Sequence, residues 1–238
     1  MKKDSLKKNH TNHSISSPIL THYLNCCFDH EKTFYDLVKH DYKNYQTSIL
    51  MALDLFRLKN EPRYLDMISE ASYQSLNHVD RLKDLEPHLF RSENIGFYSC
   101  LEAVQNAAKG YKSNVSGEDC FVFADSSFSS TIGLLFSNVL NLKESANLIF
   151  ALTSFSEDNY LKCRIDITVP APVPSEFADI FNNPNQRVTG GFPGLSAYTV
   201  KQIINRYSGQ LLLIENGRKK SVFSIILYQK SDEFNKLL

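Results

Sequence analysis

Residues 31–59 read EKTFYDLVKHDYKNYQTSILMALDLFRLK, and this run, followed by Asn60-Glu61-Pro62, decides the fold. It contains neither glycine nor proline, and its apolar residues recur at helical spacing, which predicts one long helix. Asn60-Glu61-Pro62 breaks the pattern, and a proline suits the first turn of a new helix. The second helix is expected to run to Leu85, with Leu65, Ile68, Leu76, Val79 and Leu82 on one stripe, and Glu86-Pro87 closes it. Two helices joined by so short a turn make an antiparallel hairpin.

A helix advances about 100° per residue, so with Leu37 as zero Val38, Tyr42, Tyr45, Ile49, Ala52, Leu53 and Phe56 fall between about 60° and 160°. Tyr42 and Tyr45 therefore belong to a buried stripe. His40 falls near about 300° on the same wheel, facing water. Two helices are too few to enclose a long apolar stripe. Pairing with a second copy would complete a four-helix bundle and leave His40 outside, so a homodimer is expected.

The neighbours of His40 point to chemistry. Asp41 can accept a hydrogen bond from one ring nitrogen, fixing the tautomer so that the other nitrogen keeps a free lone pair. That lone pair is a nucleophile toward a phosphoryl group. Asn44, one turn further on, offers an amide able to orient a phosphoryl oxygen or a water. Thr47 and Met51 continue this face, and a surface of polar residues and methionine beside a nucleophile suits a docked partner. Lys43 could steady phosphoryl oxygens, although a lysine on an exposed helix face more often serves solubility. His40, Asp41 and Asn44 are the candidate catalytic residues, and Lys43, Thr47 and Met51 the candidate partner-binding ones.

The rest of the chain divides around this hairpin. Residues 1–20 are polar and aperiodic and read as a disordered tail, residues 21–90 as the hairpin, and residues 91–238 as a second unit. In that unit helices are expected over 96–109, 126–142, 175–181 and 195–207, and strands over 120–124, 147–156, 160–169, 211–214 and 221–228. Helices grouped with mostly antiparallel strands define an α+β fold whose C-terminal unit is an α/β sandwich. His78 and His88 read as surface or hinge residues, and His10 and His13 as solvated tail.

The 238 residues carry 26 basic and 26 acidic side chains, a formal net charge of zero. That balance supplies no electrostatic reason for a nucleic-acid or membrane-surface partner. Five cysteines, an odd number without Cys-x-x-Cys spacing, argue against a disulfide framework or a zinc site and for a reducing compartment. No apolar run approaches the roughly 20 residues needed to cross a bilayer. Polar residues follow the basic N-terminus where a signal peptide needs an apolar stretch, so a cytoplasmic protein is expected.

His40-Asp41-x-x-Asn44 on a dimerisation hairpin resembles the phosphoacceptor box of two-component histidine kinases, and Asp-x-x-Asn resembles the motif with which those proteins dephosphorylate response regulators. Ser137-x-x-x-Asn141 lies where that family has paired asparagines, and Gly190-Gly191-Phe192-Pro193-Gly194-Leu195 where it has a glycine-rich lid. The helix from Ser196 to Tyr207, then Ser208-Gly209-Gln210-Leu211, continues the likeness, which spans about residues 31 to 229.

The departures from that family are informative. Its pocket uses an aspartate to read the adenine amino group, followed by glycines that let the chain approach the base. The corresponding stretch here is Thr168-Val169-Pro170-Ala171-Pro172-Val173, with no aspartate and with prolines for glycines. Proline fixes φ and removes a donor, so it cannot reproduce a glycine's conformations. Asp166 could stand in as a displaced adenine reader, but alternation along a strand explains it more simply. Asn141 alone is a poor metal site, and Gly190-Gly191 could cradle phosphate or simply form a loop.

A histidine hairpin joined to a decayed ATPase-like unit resembles the ChpT-type histidine phosphotransferases of phosphorelays. That resemblance implies a homodimer passing phosphoryl groups between receiver domains of response regulators or hybrid kinases through His40. It also implies that this chain binds no cofactor and that any Mg²⁺ sits on the receiver partner. A divergent kinase, a receiver phosphatase and a non-catalytic scaffold are the competing expectations.

Overall fold

The computed structural model describes residues 18–89, 94–183, 191–231 and 234. Two long helices open the described chain, α1 (Pro18–Lys59) and α2 (Arg63–Leu89). The turn between them lies where expected. Asn60 takes a left-handed φ of 50° and donates its N–H to the Phe56 carbonyl at 2.7 Å, ending α1 as asparagine commonly does. Tyr64 and Leu65 then bond back to Glu61 and Pro62, opening α2.

Both helices outrun their expected limits. α1 begins at Pro18, inside the stretch read as tail, because proline suits a first helical position and Ile19 and Tyr23 are buried under the second unit. The remaining tail, with His10 and His13, lies outside the described residues. Pro87 does not close α2, which continues to Leu89. A proline in the last turn forfeits one backbone bond, and burial of Leu85 and His88 offsets that loss.

The second unit begins with β1 (Ile95–Ser99), where a helix was expected, and α3 (Cys100–Ala107) follows. Ser99 caps α3, its hydroxyl accepting from the Glu102 N–H at 3.0 Å. Next come β2 (Lys112–Gly117), β3 (Phe121–Asp125), and α4 (Phe128–Leu134), which runs into a π-helical turn at Leu135–Val139. β4 (Asn147–Glu157), β5 (Tyr160–Val169), α5 (Ser175–Asn182), α6 (Gly191–Arg206), β6 (Gln210–Asn216) and β7 (Ser221–Tyr228) complete the order.

β1 and β3 form a small antiparallel pair. The main sheet runs β2-β4-β5-β7-β6, with β2 parallel to β4 and every other pairing antiparallel. Strand alternation builds the core. Cys163, Ile165, Ile167 and Val169 of β5 are fully buried, while Lys162, Arg164, Asp166 and Thr168 point the other way. Each buried branched side chain contributes about 1.5–3 kcal/mol. Phe136 of the π turn meets Phe150 of β4, and Phe181 of α5 meets Phe223 of β7. α6 packs on the sheet unit and on both hairpin helices. The mixed helix-and-sheet class and the α/β sandwich are as expected.

Two expectations about buried residues are corrected. Cys120 and Cys163, 43 residues apart, are joined by a disulfide, which spacing along the chain could not reveal. The argument from free cysteines to a reducing compartment therefore lapses. His78 and His88 are buried, each 5 % exposed, because they sit under α1 and the second unit rather than on a surface. Among the described residues no helix is long and apolar enough to cross a membrane.

Candidate functional site

α1 displays His40 about midway along its length, with the side chain 70 % exposed. Asp41 Oδ1 lies 3.3 Å from His40 Nδ1, and Asn44 Nδ2 lies 3.3 Å from the same nitrogen. One ring nitrogen cannot serve both partners in one protonation state. A carboxylate only accepts, so its bond requires Nδ1–H and leaves the lone pair on Nε2. The Asn44 amide donates to Nδ1 in the opposite tautomer. The charge on Asp41 favours the first form, since a bond to a charged acceptor is the stronger. The free lone pair is then on Nε2 of a ring that is largely exposed.

The other sequence-selected residues surround this ring in part. Thr47 and Met51 follow on the same exposed face, Met51 at 61 % exposure. The Thr47 hydroxyl is engaged by the Lys43 carbonyl at 2.8 Å, and the Ser48 hydroxyl by that of Asn44, so both belong to their own helix. Lys43 is exposed at the flank of the face. Tyr42 departs from expectation. It is 50 % exposed, because α2 covers only one side of α1, whereas Tyr45 is half-buried against the His78 ring.

A second assembly holds the hairpin to the sandwich, and nothing in the sequence marked it. Asp125, at the end of β3, is fully buried. Its Oδ1 accepts from the Ser127 N–H (2.8 Å), the Ser127 hydroxyl (2.6 Å) and the Tyr207 hydroxyl (2.8 Å). Its Oδ2 accepts from the Tyr23 hydroxyl at 2.7 Å and from Arg206 Nη2 at 3.0 Å. The Arg206 guanidinium also lies over the Tyr23 and Tyr207 rings. Burial raises the pKa of both phenols, which stay neutral donors. Tyr23 comes from α1 and Arg206 from α6, so this cluster ties His40's helix to the second unit.

The stretch matched to the adenine pocket is tied down by its own bonds. Val173 N–H donates to Asn216 Oδ1 (2.9 Å), Asn216 Nδ2 to the Val173 carbonyl (2.9 Å), and the Ser221 hydroxyl to the Ala171 carbonyl (2.8 Å). Val173 itself is buried. Asp166 bonds Arg164 at 2.8 Å across the strand face, which accounts for it without a ligand. The Ser137 hydroxyl bonds the Gly133 carbonyl, and Asn141, at φ 47°, takes the left-handed conformation just past the π turn. Gly190 lies outside the described residues, and Gly191 already begins α6.

No family model and no curated protein matches the sequence. Among solved structures, the Acinetobacter baumannii histidine kinase AdeS is 14 % identical with a TM-score of 0.47, over 81 % of this chain and 98 % of that one. A histidine kinase ThkA in complex with the response regulator protein TrrA is 17 % identical, TM-score 0.47, over 82 % of this chain and 61 % of that one. A bacterial phosphotransferase is 14 % identical, TM-score 0.41, over 83 % and 96 %. Likenesses of this size carry no weight for function.

Proposed function

We propose that this chain is a histidine phosphotransfer protein of two-component signalling, and that His40 is the residue that carries the phosphoryl group. The supporting observation is the exposed His40 ring with the Asp41 carboxylate on Nδ1, which leaves Nε2 free to attack. A receiver's phospho-aspartate docks on the His40 face. Nε2 attacks phosphorus in line, the acyl-phosphate bond breaks, and the receiver's carboxylate leaves with the bonding pair. Asp41 keeps the Nδ1 proton and offsets the positive charge that the ring acquires. The reverse step delivers the group to a second receiver.

Within that class the particular reading is a ChpT-type transferase that does not use ATP. An adenine nucleotide does not fit the residues present, since the Thr168–Val173 segment has no carboxylate for the base and its backbone is engaged by Asn216 and Ser221. The chain needs no cofactor of its own, and Mg²⁺ belongs to the receiver. We also read it as a cytoplasmic homodimer. Leu50, Leu58, Leu65, Tyr73, Leu76 and Val79 are exposed on the hairpin of a single copy, more apolar surface than a monomer normally leaves bare.

The test is transfer from a labelled phospho-receiver to the wild type and to His40→Ala. Rapid labelling of the wild type alone, without ATP, supports the reading, and no labelling across a broad set of receivers overturns it. Asn44 within 3.3 Å of the ring favours one second reading, a receiver phosphatase in which the amide orients a water. That activity would release inorganic phosphate without labelling His40. Micromolar ATP binding by calorimetry would favour a kinase instead.

A further inference from the structure

Three cysteines far apart in sequence converge in the core of the second unit. Cys100 begins α3, Cys120 immediately precedes β3, and Cys163 lies on the inward face of β5. Their sulfur atoms all lie within 4.8 Å of one another, and the residues are 0 %, 1 % and 0 % exposed. Cys120 and Cys163 are bonded, and the Cys100 N–H donates to the Cys120 carbonyl at 2.9 Å, which keeps the third thiol beside the pair. The relay chemistry uses none of them.

We propose that Cys100, Cys120 and Cys163 form a redox-responsive thiol–disulfide site, in which one disulfide closes at a time and Cys100 is an interchangeable third partner. The oxidant is a disulfide-bearing molecule. The Cys120 thiolate attacks one sulfur of that donor, forming a mixed disulfide and expelling the first donor thiolate. The Cys163 thiolate then attacks Cys120 Sγ, closing the protein disulfide and expelling the second. The two protons lost by the cysteines end on the two donor thiols, so the donor gains the two electrons that the protein gives up.

Burial decides how the site behaves. Desolvation pushes the Cys100 thiol up to about 12, so it waits as a neutral thiol rather than an attacking thiolate. Exchange must therefore pass through a local opening of the core, and the bond persists once the core has closed over it. A disulfide beside a neutral thiol suits a dry apolar site. Three thiolates around a divalent ion would leave a net negative charge there, which burial penalises. The location also gives the bond something to control. β3 starts directly after Cys120 and ends at Asp125, so the cross-link anchors to β5 the strand whose Asp125 holds the hairpin through Tyr23 and is paired with Arg206.

The experiment uses the full chain equilibrated in glutathione buffers from reducing to oxidising, alkylated under denaturing conditions, then weighed intact and peptide-mapped. Oxidised wild type and Cys100→Ala should each lose two alkylation sites to a Cys120–Cys163 bond and gain about 10 °C in Tm over their reduced forms. Cys120→Ser should form Cys100–Cys163 and Cys163→Ser should form Cys100–Cys120, while the double variant Cys100→Ala/Cys120→Ser should form neither. Full alkylation of the wild type under every buffer would overturn the proposal. So would pairing through Cys26 or Cys27, failure of both single serine variants to bond through Cys100, or stoichiometric metal protecting the three thiols until a chelator is added. None of these outcomes depends on whether His40 carries phosphate.

Discussion

Replacing Asp125 by alanine leaves the Arg206 guanidinium buried without its counter-charge. Asp125 accepts five hydrogen bonds, two from Ser127 and one each from Tyr23, Arg206 and Tyr207. Arg206 is 1 % exposed and Asp125 fully buried, so water cannot replace the lost partner without opening the junction. Breaking such a pair from one side costs about 3–5 kcal/mol. Two phenols and a serine lose their acceptor as well, which places Asp125→Ala near about 4 kcal/mol or above. For a chain of this size that is a fall of about 10 °C in Tm. Arg206→Met should cost less, about 2 kcal/mol, because the carboxylate keeps its hydroxyl and backbone donors. The double variant removes the orphaned charge, so it should be more stable than the sum of the single losses by about 2 kcal/mol. Urea denaturation of the four proteins measures the cycle. A loss below about 1 kcal/mol for Asp125→Ala, or strict additivity, would refute the view that this ion pair braces the cluster on which Tyr23 of the hairpin docks.

Burial, and then the charge of Arg206, pushes His30 down to about 4, and neither ring nitrogen has a hydrogen-bond partner among the described residues. His30 is thus neutral when folded and protonates near 6.5 when unfolded, so its contribution is intact above pH 6.5 and is lost as pH falls from about 6.5 to about 4. The loss should approach about 3 kcal/mol, His88 adding in the same direction. Urea midpoints at pH 7 and pH 4.5 measure it, and His30→Phe should flatten the profile; an unchanged slope would remove His30 as the cause. For the site itself, Asp41→Ala should slow receiver-to-His40 transfer by about 10- to 100-fold through loss of ring orientation. Equal single-turnover rates for Asp41→Ala and wild type would show that the 3.3 Å contact has no chemical part. At Gly209 an added Cβ would sit 2.7 Å from the Ile226 carbonyl and against the Leu227 side chain. Gly209→Ala should therefore cost about 1–3 kcal/mol, read as a lowered Tm, and an unshifted Tm would mean that the β6–β7 approach is looser than this geometry.

The hairpin was legible because everything that makes it is local. Helical bonds span four residues, Asn60 and Pro62 mark the turn, and the angular position of His40 follows from counting along α1. β5 was legible down to its ends for the same reason, since an alternating strand carries its own period. Asp41 and Asn44 fall beside His40 by helical geometry alone, so the arrangement of the candidate site could be read before any tertiary structure.

The other features needed the folded chain. β1 reads as helix in the sequence because only its pairing with β3 distinguishes it, although the capping pattern from Ser99 to Glu102 does mark where α3 begins. β2, a polar strand, owes its conformation to its parallel neighbour β4. Tyr42 falls on the apolar stripe by helical spacing, yet a single hairpin does not supply the core to bury it. The extension of α1 ahead of Glu31 goes with the burial of Tyr23, whose hydroxyl bonds Asp125, 102 residues away. Local sequence thus determined which helix carries His40 and which way the histidine faces. Only tertiary structure decided that this helix is held to a sandwich by the Tyr23 hydroxyl on a buried Asp125–Arg206 pair, and that three separated cysteines meet in the core of that sandwich. A long-range contact leaves no period in the chain, because each partner is chosen by packing and charge across space.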